Sequence, residues 1–245
     1  MIEEVRFNAD GLVPGIAQDA HDGTILMLAW ANKEALEETF KHTDKLTMLD
    51  VSELKPDDVV VNVSTLGAPS AMGVHLSAEH WMTALKNFEL NYGKKIAGFT
   101  SCENGAISTA NGWVISALTG IPLVDAPSNG RAHPTGTMGS IGLNLLPDYQ
   151  TTQSACGGTG ARFLETVAKG AFNSTSHVIR QSAVADGGMV GVLRNPVTVE
   201  YLKKNAAVGA ISQALDIGKA FNQCKNGAEF VAFLEEHYDA KVLAR

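Results

Sequence analysis

Val59-Val60-Val61-Asn62-Val63 is the stretch on which the fold turns. Four β-branched residues in five, without polar alternation, describe a strand covered on both faces, and such strands sit inside sheets rather than at their rims. Upstream, residues 46–50 read as a short strand and Lys55-Pro56-Asp57-Asp58 as a polar turn. Downstream, Ser77 is placed to cap a helix in which Trp81, Met82, Leu85 and Phe88 keep helical spacing up to Tyr92 and Gly93. A strand over 96–100, a small-residue helix over 106–119 closed by Gly120, and a strand over 121–125 follow. The repeated order strand, turn, helix, strand predicts an α/β fold, a mainly parallel sheet with helices on both faces. In such sheets ligands gather at the carboxyl ends of strands, here Gly67, the Cys102-Glu103-Asn104 turn and Asp125.

Further along, residues 126–148 form a connection rich in Gly, Pro, Ser and Thr that is longer than most loops in compact domains. Gly157-Gly158-Thr159-Gly160 reads as the opening of a helix over 161–169, residues 178–182 as a strand, and 205–221 and 228–237 as helices. At the other end of the chain, apolar runs flank the Asp22-Gly23 turn signal, and Asn32 can cap a helix through Phe40. The main sheet is therefore expected to be preceded by a β-β-α unit, with domains of 1–43 and 44–245.

The 245 residues are 45% hydrophobic and 18% charged, which excludes a disordered or fibrous chain. A formal charge of -7 argues against a broad nucleic-acid footprint or an anionic membrane surface. Three widely spaced cysteines, Cys102, Cys156 and Cys224, indicate neither a disulfide framework nor a CxxC metal site. No apolar run approaches the length of a membrane span, and the residues after Met1 are acidic rather than basic. These features point to a cytoplasmic protein. They leave open the cofactor and a homo-oligomer or partner subunit.

Asp125, Arg131 and His133 follow one predicted strand, where a carboxylate, a permanent cation and a titratable imidazole can orient a polar substrate and move a proton. An Asp at a strand end also commonly caps a turn. Glu103 stands at a second strand end, where it can serve as a general acid or base if burial raises its pKa, or as a binding anchor for ring N–H groups. Its neighbour Cys102 reads as a small buried residue, because the nearest charge in sequence is an acid and a nucleophile must be a thiolate. The glycine run at 157–160 reads as a tight turn in preference to an anion site. His75 and His80 are five apart, which does not align two imidazoles on one helical face, and no metal site is expected.

Gly67-Ala68-Pro69, Glu103-Asn104-Gly105, the run from Gly120 through Asp125, and Gly130-Arg131-Ala132-His133-Pro134 together resemble the successive signatures of the S-methyl-thiohydantoin desulfurase-like family. The segment from Gly209 to Ala220 is similar to the helix that follows in the same order. The resemblance, over residues 44–221, implies an enzyme or enzyme subunit acting on a small, hydantoin-like cyclic amide by hydrolysis or related C–N or C–S cleavage. It implies catalytic roles for Glu103, Asp125 and His133 and substrate binding by Arg131, Asn104, Asn129 and Gly67. Family members usually carry a glycine-rich opening turn and a β-rich second domain, neither of which is apparent. A non-catalytic assembly domain is accordingly the alternative. Residues 11–40 resemble instead the start of phosphoribosyl-AMP cyclohydrolase, a zinc-dependent enzyme, and a protein related to it is a further alternative.

Overall fold

A computed structural model describes residues 5–18, 25–33, 37, 47–67, 76–105, 108–132 and 135–243. β1 (Leu12–Gln18) and β2 (Ile25–Asn32) pair antiparallel as a separate two-stranded sheet. The helix expected over 32–40 falls mostly outside the described residues.

Seven further strands form the main sheet: β3 (Met48–Leu49), β4 (Val59–Gly67), β5 (Gly98–Ser101), β6 (Leu123–Val124), β7 (Gln150–Gly157), β8 (Leu164–Ala171) and β9 (Met189–Thr198). Their order is β3-β6-β5-β4-β9-β7-β8, so the valine run lies at the centre. The mainly parallel sheet expected from the sequence is corrected to a mixed one. β3, β6, β5 and β4 are parallel neighbours, whereas β9, β7 and β8 join with antiparallel pairings. The reason is the short connection at Gly158, φ +71°, which returns β7 directly into β8 where a parallel neighbour would need a helical crossover.

Six α-helices accompany the sheet among the described residues: α1 (Ala78–Tyr92), α2 (Trp113–Thr119), α3 (Phe172–Ala185), α4 (Val199–Asn205), α5 (Ala210–Gln223) and α6 (Gly227–Tyr238). The segment 161–169 is thus mostly strand β8, and 178–182 lies inside α3. α1 ends where expected, with Gly93 in the left-handed conformation at φ +77°.

On one sheet face Val59, Val61, Val63, Phe99 and Leu193 pack against Ala84, Leu85 and Phe88 of α1 and Ile115 of α2. The other face carries two apolar clusters. Val60, Val124 and Val197 meet Val199 and Leu202 of α4, while Ala155, Val190 and Val192 meet Ile179 and Ala183 of α3. Between those clusters runs a buried polar seam. Asn62 pairs with Thr100 across one ladder and with Arg194 across the other, and Ser64 stands two residues further along β4. Polar groups in the middle of a sheet face cost free energy unless they are paired, so the seam marks the place where this fold departs from simple packing.

Candidate active site

The seam opens into a cleft of about 130 Å³ at the carboxyl ends of β4 and β5. Ser64, Gly67, Cys102, Glu103, Asn111 and Arg194 are among its walls, with Arg180 of α3 and Thr135 and Gly136 of the long loop closing it. Strand ends at a change of sheet direction are where α/β folds expose polar groups without disturbing the core.

Arg194 is aimed there by an irregularity in β9. Val60 pairs with Val197 but Asn62 pairs with Arg194, so Asn195 and Pro196 together oppose Val61. Such a bulge bends the strand and re-aims the flanking side chain. Asn195 takes the left-handed conformation, φ +54°, one of the few non-glycine residues to do so, and Pro196 needs no ladder donor. Arg194 is only 5% exposed. Its Nη2 donates to Cys102 Sγ at 2.9 Å, its Nε has no partner among the described residues, and Gly136 leaves room for Nη1, which would lie 3.3 Å from a Cβ at that position. Among the described residues no carboxylate comes within ion-pair distance of it. A buried cation without a compensating anion is disfavoured by several kcal/mol. Ser64 is 2% exposed, and its Oγ is likewise without a partner among the described residues.

The rest of the wall is built by local pairing. Thr65 Oγ1 donates to Asn111 Oδ1 at 3.1 Å, and Asn62 Nδ2 donates to Ser128 Oγ at 3.1 Å, tying the long loop to β4. At Gly67 a Cβ would sit 2.5 Å from the Gly188 carbonyl oxygen, so only glycine lets β4 end this close to the start of β9.

Of the residues expected to act, Gly67 and Glu103 line the cleft. Asp125 does not. It is buried, and its Oδ1 and Oδ2 accept from the Ile211 and Ser212 amides at 2.8 and 2.9 Å in the first turn of α5, while its carbonyl accepts from Gly209. A carboxylate on exposed amides at a helix N-terminus is a cap that also complements the helix dipole. Asn104 braces the same helix, donating from Nδ2 to the Ala210 carbonyl at 2.7 Å, and its amide donates to the Asn129 carbonyl. Asn129 Oδ1 accepts from the Arg131 amide, and Arg131 itself is exposed. His133 lies outside the described residues. His80 accepts at Nδ1 from the Ser77 amide, which leaves Nε2 to donate to the Gly158 carbonyl at 2.9 Å, a structural bridge between α1 and the β7–β8 turn. Among the described residues no group of three or more His, Cys, Asp or Glu side chains could hold a metal ion, and no helix is long and apolar enough to cross a membrane.

Two cysteines are buried in contrasting surroundings. Burial, reinforced by Glu165 and Asp186, pushes the Cys156 thiol up to about 11. Cys102 instead faces a guanidinium. Sequence reasoning weighed only its neighbour Glu103 and missed Arg194, which is 92 positions away; the available signal was a charged residue interrupting the apolar run Val190-Gly191-Val192-Leu193.

The S-Me-THD-like N-terminal domain model matches residues 29–160, more than half of the chain. This chain belongs to the S-Me-THD-like family. The segment shared with that family carries Ser64, Cys102, Glu103, Asn111 and Thr135, and Arg180 and Arg194 come after it. Short, stronger likenesses accompany the S-Me-THD-like match. The histidine biosynthesis bifunctional protein HisIE of Prochlorococcus marinus is 62% identical over 40 residues, 16% of this chain and 18% of that protein. The phosphoribosyl-AMP cyclohydrolase of Thiobacillus denitrificans is 63% identical over 38 residues, 16% of this chain and 29% of that one. The chain thus spans less than a third of either relative. A crystal structure of a protein from Chromobacterium violaceum superposes with a TM-score of 0.59 at 24% identity, over 79% of this chain and 55% of that one, and shows a shared fold.

Proposed function

We propose that the chain is an enzyme, or a subunit of one, that acts on a small cyclic amide of hydantoin type by hydrolysis or by related C–N or C–S cleavage. The observation that carries this reading is Arg194, a desolvated cation that has, among the described residues, no carboxylate partner and an unused Nε, in a cleft that also holds a carboxylate, a thiol and a hydroxyl unpaired among those residues. A guanidinium so placed binds a ring carbonyl and stabilises the oxyanion that forms when that carbon is attacked, with no reorganisation of solvent. Ser64 Oγ adds a second donor. Glu103 moves the proton between water and the ring nitrogen. Gly67 lets the flat ring lie against the backbone. Membership of the S-Me-THD-like family supports the ring chemistry.

Asp125, Asn104 and Asn129 serve this site as positioning residues, holding α5 and the long loop to the ends of β5 and β6. Arg131, exposed beside them, meets substituents that project from the ring. The cyclohydrolase likeness covers 16% of the chain and carries no separate reading.

The test is turnover of hydantoin, 2-thiohydantoin and its S-methyl derivative, followed by NMR. Arg194→Met and Glu103→Gln are each expected to lower kcat by about a hundredfold. Undiminished turnover in both variants would refute the assignment.

A further inference from the structure

We infer that Cys102 is the thiolate nucleophile of the cleft, ion-paired with Arg194. The inference rests on the cyclic-amide reading for its substrate and on geometry for everything else. Arg194 is 5% exposed and has no carboxylate within ion-pair distance among the described residues, yet its Nη2 lies 2.9 Å from Cys102 Sγ. A guanidinium beside a thiol stabilises the thiolate, and the thiolate in turn supplies the buried cation with an anion that no described carboxylate provides. The two charges explain each other. Among the described residues, three charged groups line the cleft with this sulfur: Arg194 from β9, Arg180 from α3 and Glu103 from the turn after β5, two cations to one carboxylate.

A second observation marks this cavity as a place where a ligand sits. Ser64 is 2% exposed, its Oγ and Arg194 Nε are both unpaired among the described residues, and both residues belong to the same cleft wall as Cys102. Buried donors left without partners are aimed at something that arrives.

The step balances with these groups. Cys102 Sγ adds to the ring carbonyl carbon, and the oxyanion faces Arg194 and Ser64. The C–N bond breaks as the ring nitrogen takes a proton from the Glu103 carboxyl, leaving an S-acyl enzyme. Water then adds to the acyl carbon and gives its proton to the Glu103 carboxylate, the C–S bond breaks, and the thiolate returns to Arg194. The net change is addition of one water across one C–N bond.

Iodoacetamide labelling at neutral pH, read by peptide mass spectrometry, tests the nucleophile without any substrate. An ordinary thiol is only a few per cent ionised there, so Cys102 is expected to react about tenfold faster than the more exposed Cys224, and Arg194→Met to remove the difference. Labelling of Cys102 no faster than Cys224, or none at all, would overturn the proposal. Should Arg194→Met fail to fold, the ultraviolet difference spectrum of wild type minus Cys102→Ser decides: a thiolate band present in the folded protein and lost on unfolding supports the pair, and its absence refutes it. The substrate is tested separately by incubating the wild type with the three hydantoins. Fast labelling with neither adduct nor turnover would sink the cyclic-amide reading and leave the nucleophile standing. Turnover that survives Cys102→Ser would do the reverse.

Discussion

Asp125→Asn separates a capping role from a proton-transfer role. The carboxylate accepts two amides at the start of the 14-residue helix α5 from a site that is 4% exposed. An asparagine keeps one acceptor oxygen and turns an NH₂ group toward the second amide, so a buried donor loses its partner and meets another donor. Loss of a cap costs about 0.5–2 kcal/mol and an unsatisfied buried amide about 1–3 kcal/mol, giving an expected destabilisation of about 2–4 kcal/mol. For a chain of this size that lowers Tm by roughly 4–16 °C. Urea denaturation followed by circular dichroism, with the m-value unchanged, measures it. Well below its own Tm the variant should retain most of its kcat. A stability loss under about 0.5 kcal/mol together with a collapse of kcat would refute the capping argument and restore Asp125 to the chemistry.

Three further outcomes are expected. Asn195→Ala should cost about 1–2 kcal/mol because alanine tolerates φ +54° poorly, whereas Asn195→Gly should keep the stability, as chemical denaturation of both will show. Gly67→Ala places a methyl group 2.5 Å from the Gly188 carbonyl oxygen and should destabilise by about 1–3 kcal/mol in the same assay. The Cys156 thiol is held up to about 11 from 9.0, so the folded state keeps a proton that the unfolded state loses. That contribution is present below pH 9.0 and is lost as the pH rises through about 11, so Cys156→Ala should flatten the alkaline decline in a pH series of urea midpoints.

The parallel half of the sheet was legible because each of its elements announces itself locally: the valine run, the amphipathic α1, the glycine that stops it. The antiparallel half was not. In β8, Leu164, Val167, Ala168 and Ala171 fall at the spacing of a helical face, and a partly exposed edge strand has no second apolar row to contradict that reading. In α3 the buried positions are Phe172, Thr175, Ile179, Ser182 and Ala183, so hydroxyls stand where apolar residues would reveal the period, and Val178-Ile179 alone stood out as strand. The site divided along the same line. Glu103 and Gly67 could be found because strand ends before glycine-rich turns are recognisable in a parallel sheet. Arg194 could not, since its place depends on a bulge in β9 and on pairing with β4, and both are set by tertiary contacts. Asp125 stood out as a charged residue closing an apolar run, but only the partner helix, 86 positions away, reveals what its oxygens hold.

The pairing of Cys102 with Arg194 also bears on how the chain reaches its native state. Its two members enter from opposite halves of the sheet, 92 positions apart in the chain. Contacts of such long range are slow to form, because the entropy of closure is lost before any interaction repays it. The cavity therefore matures late, after β9 has docked against β4, and an intermediate holding only the first half carries the cysteine without its cation. Sulfur reactivity in a refolding time course would then report completion of the fold, rising in step with the last native phase.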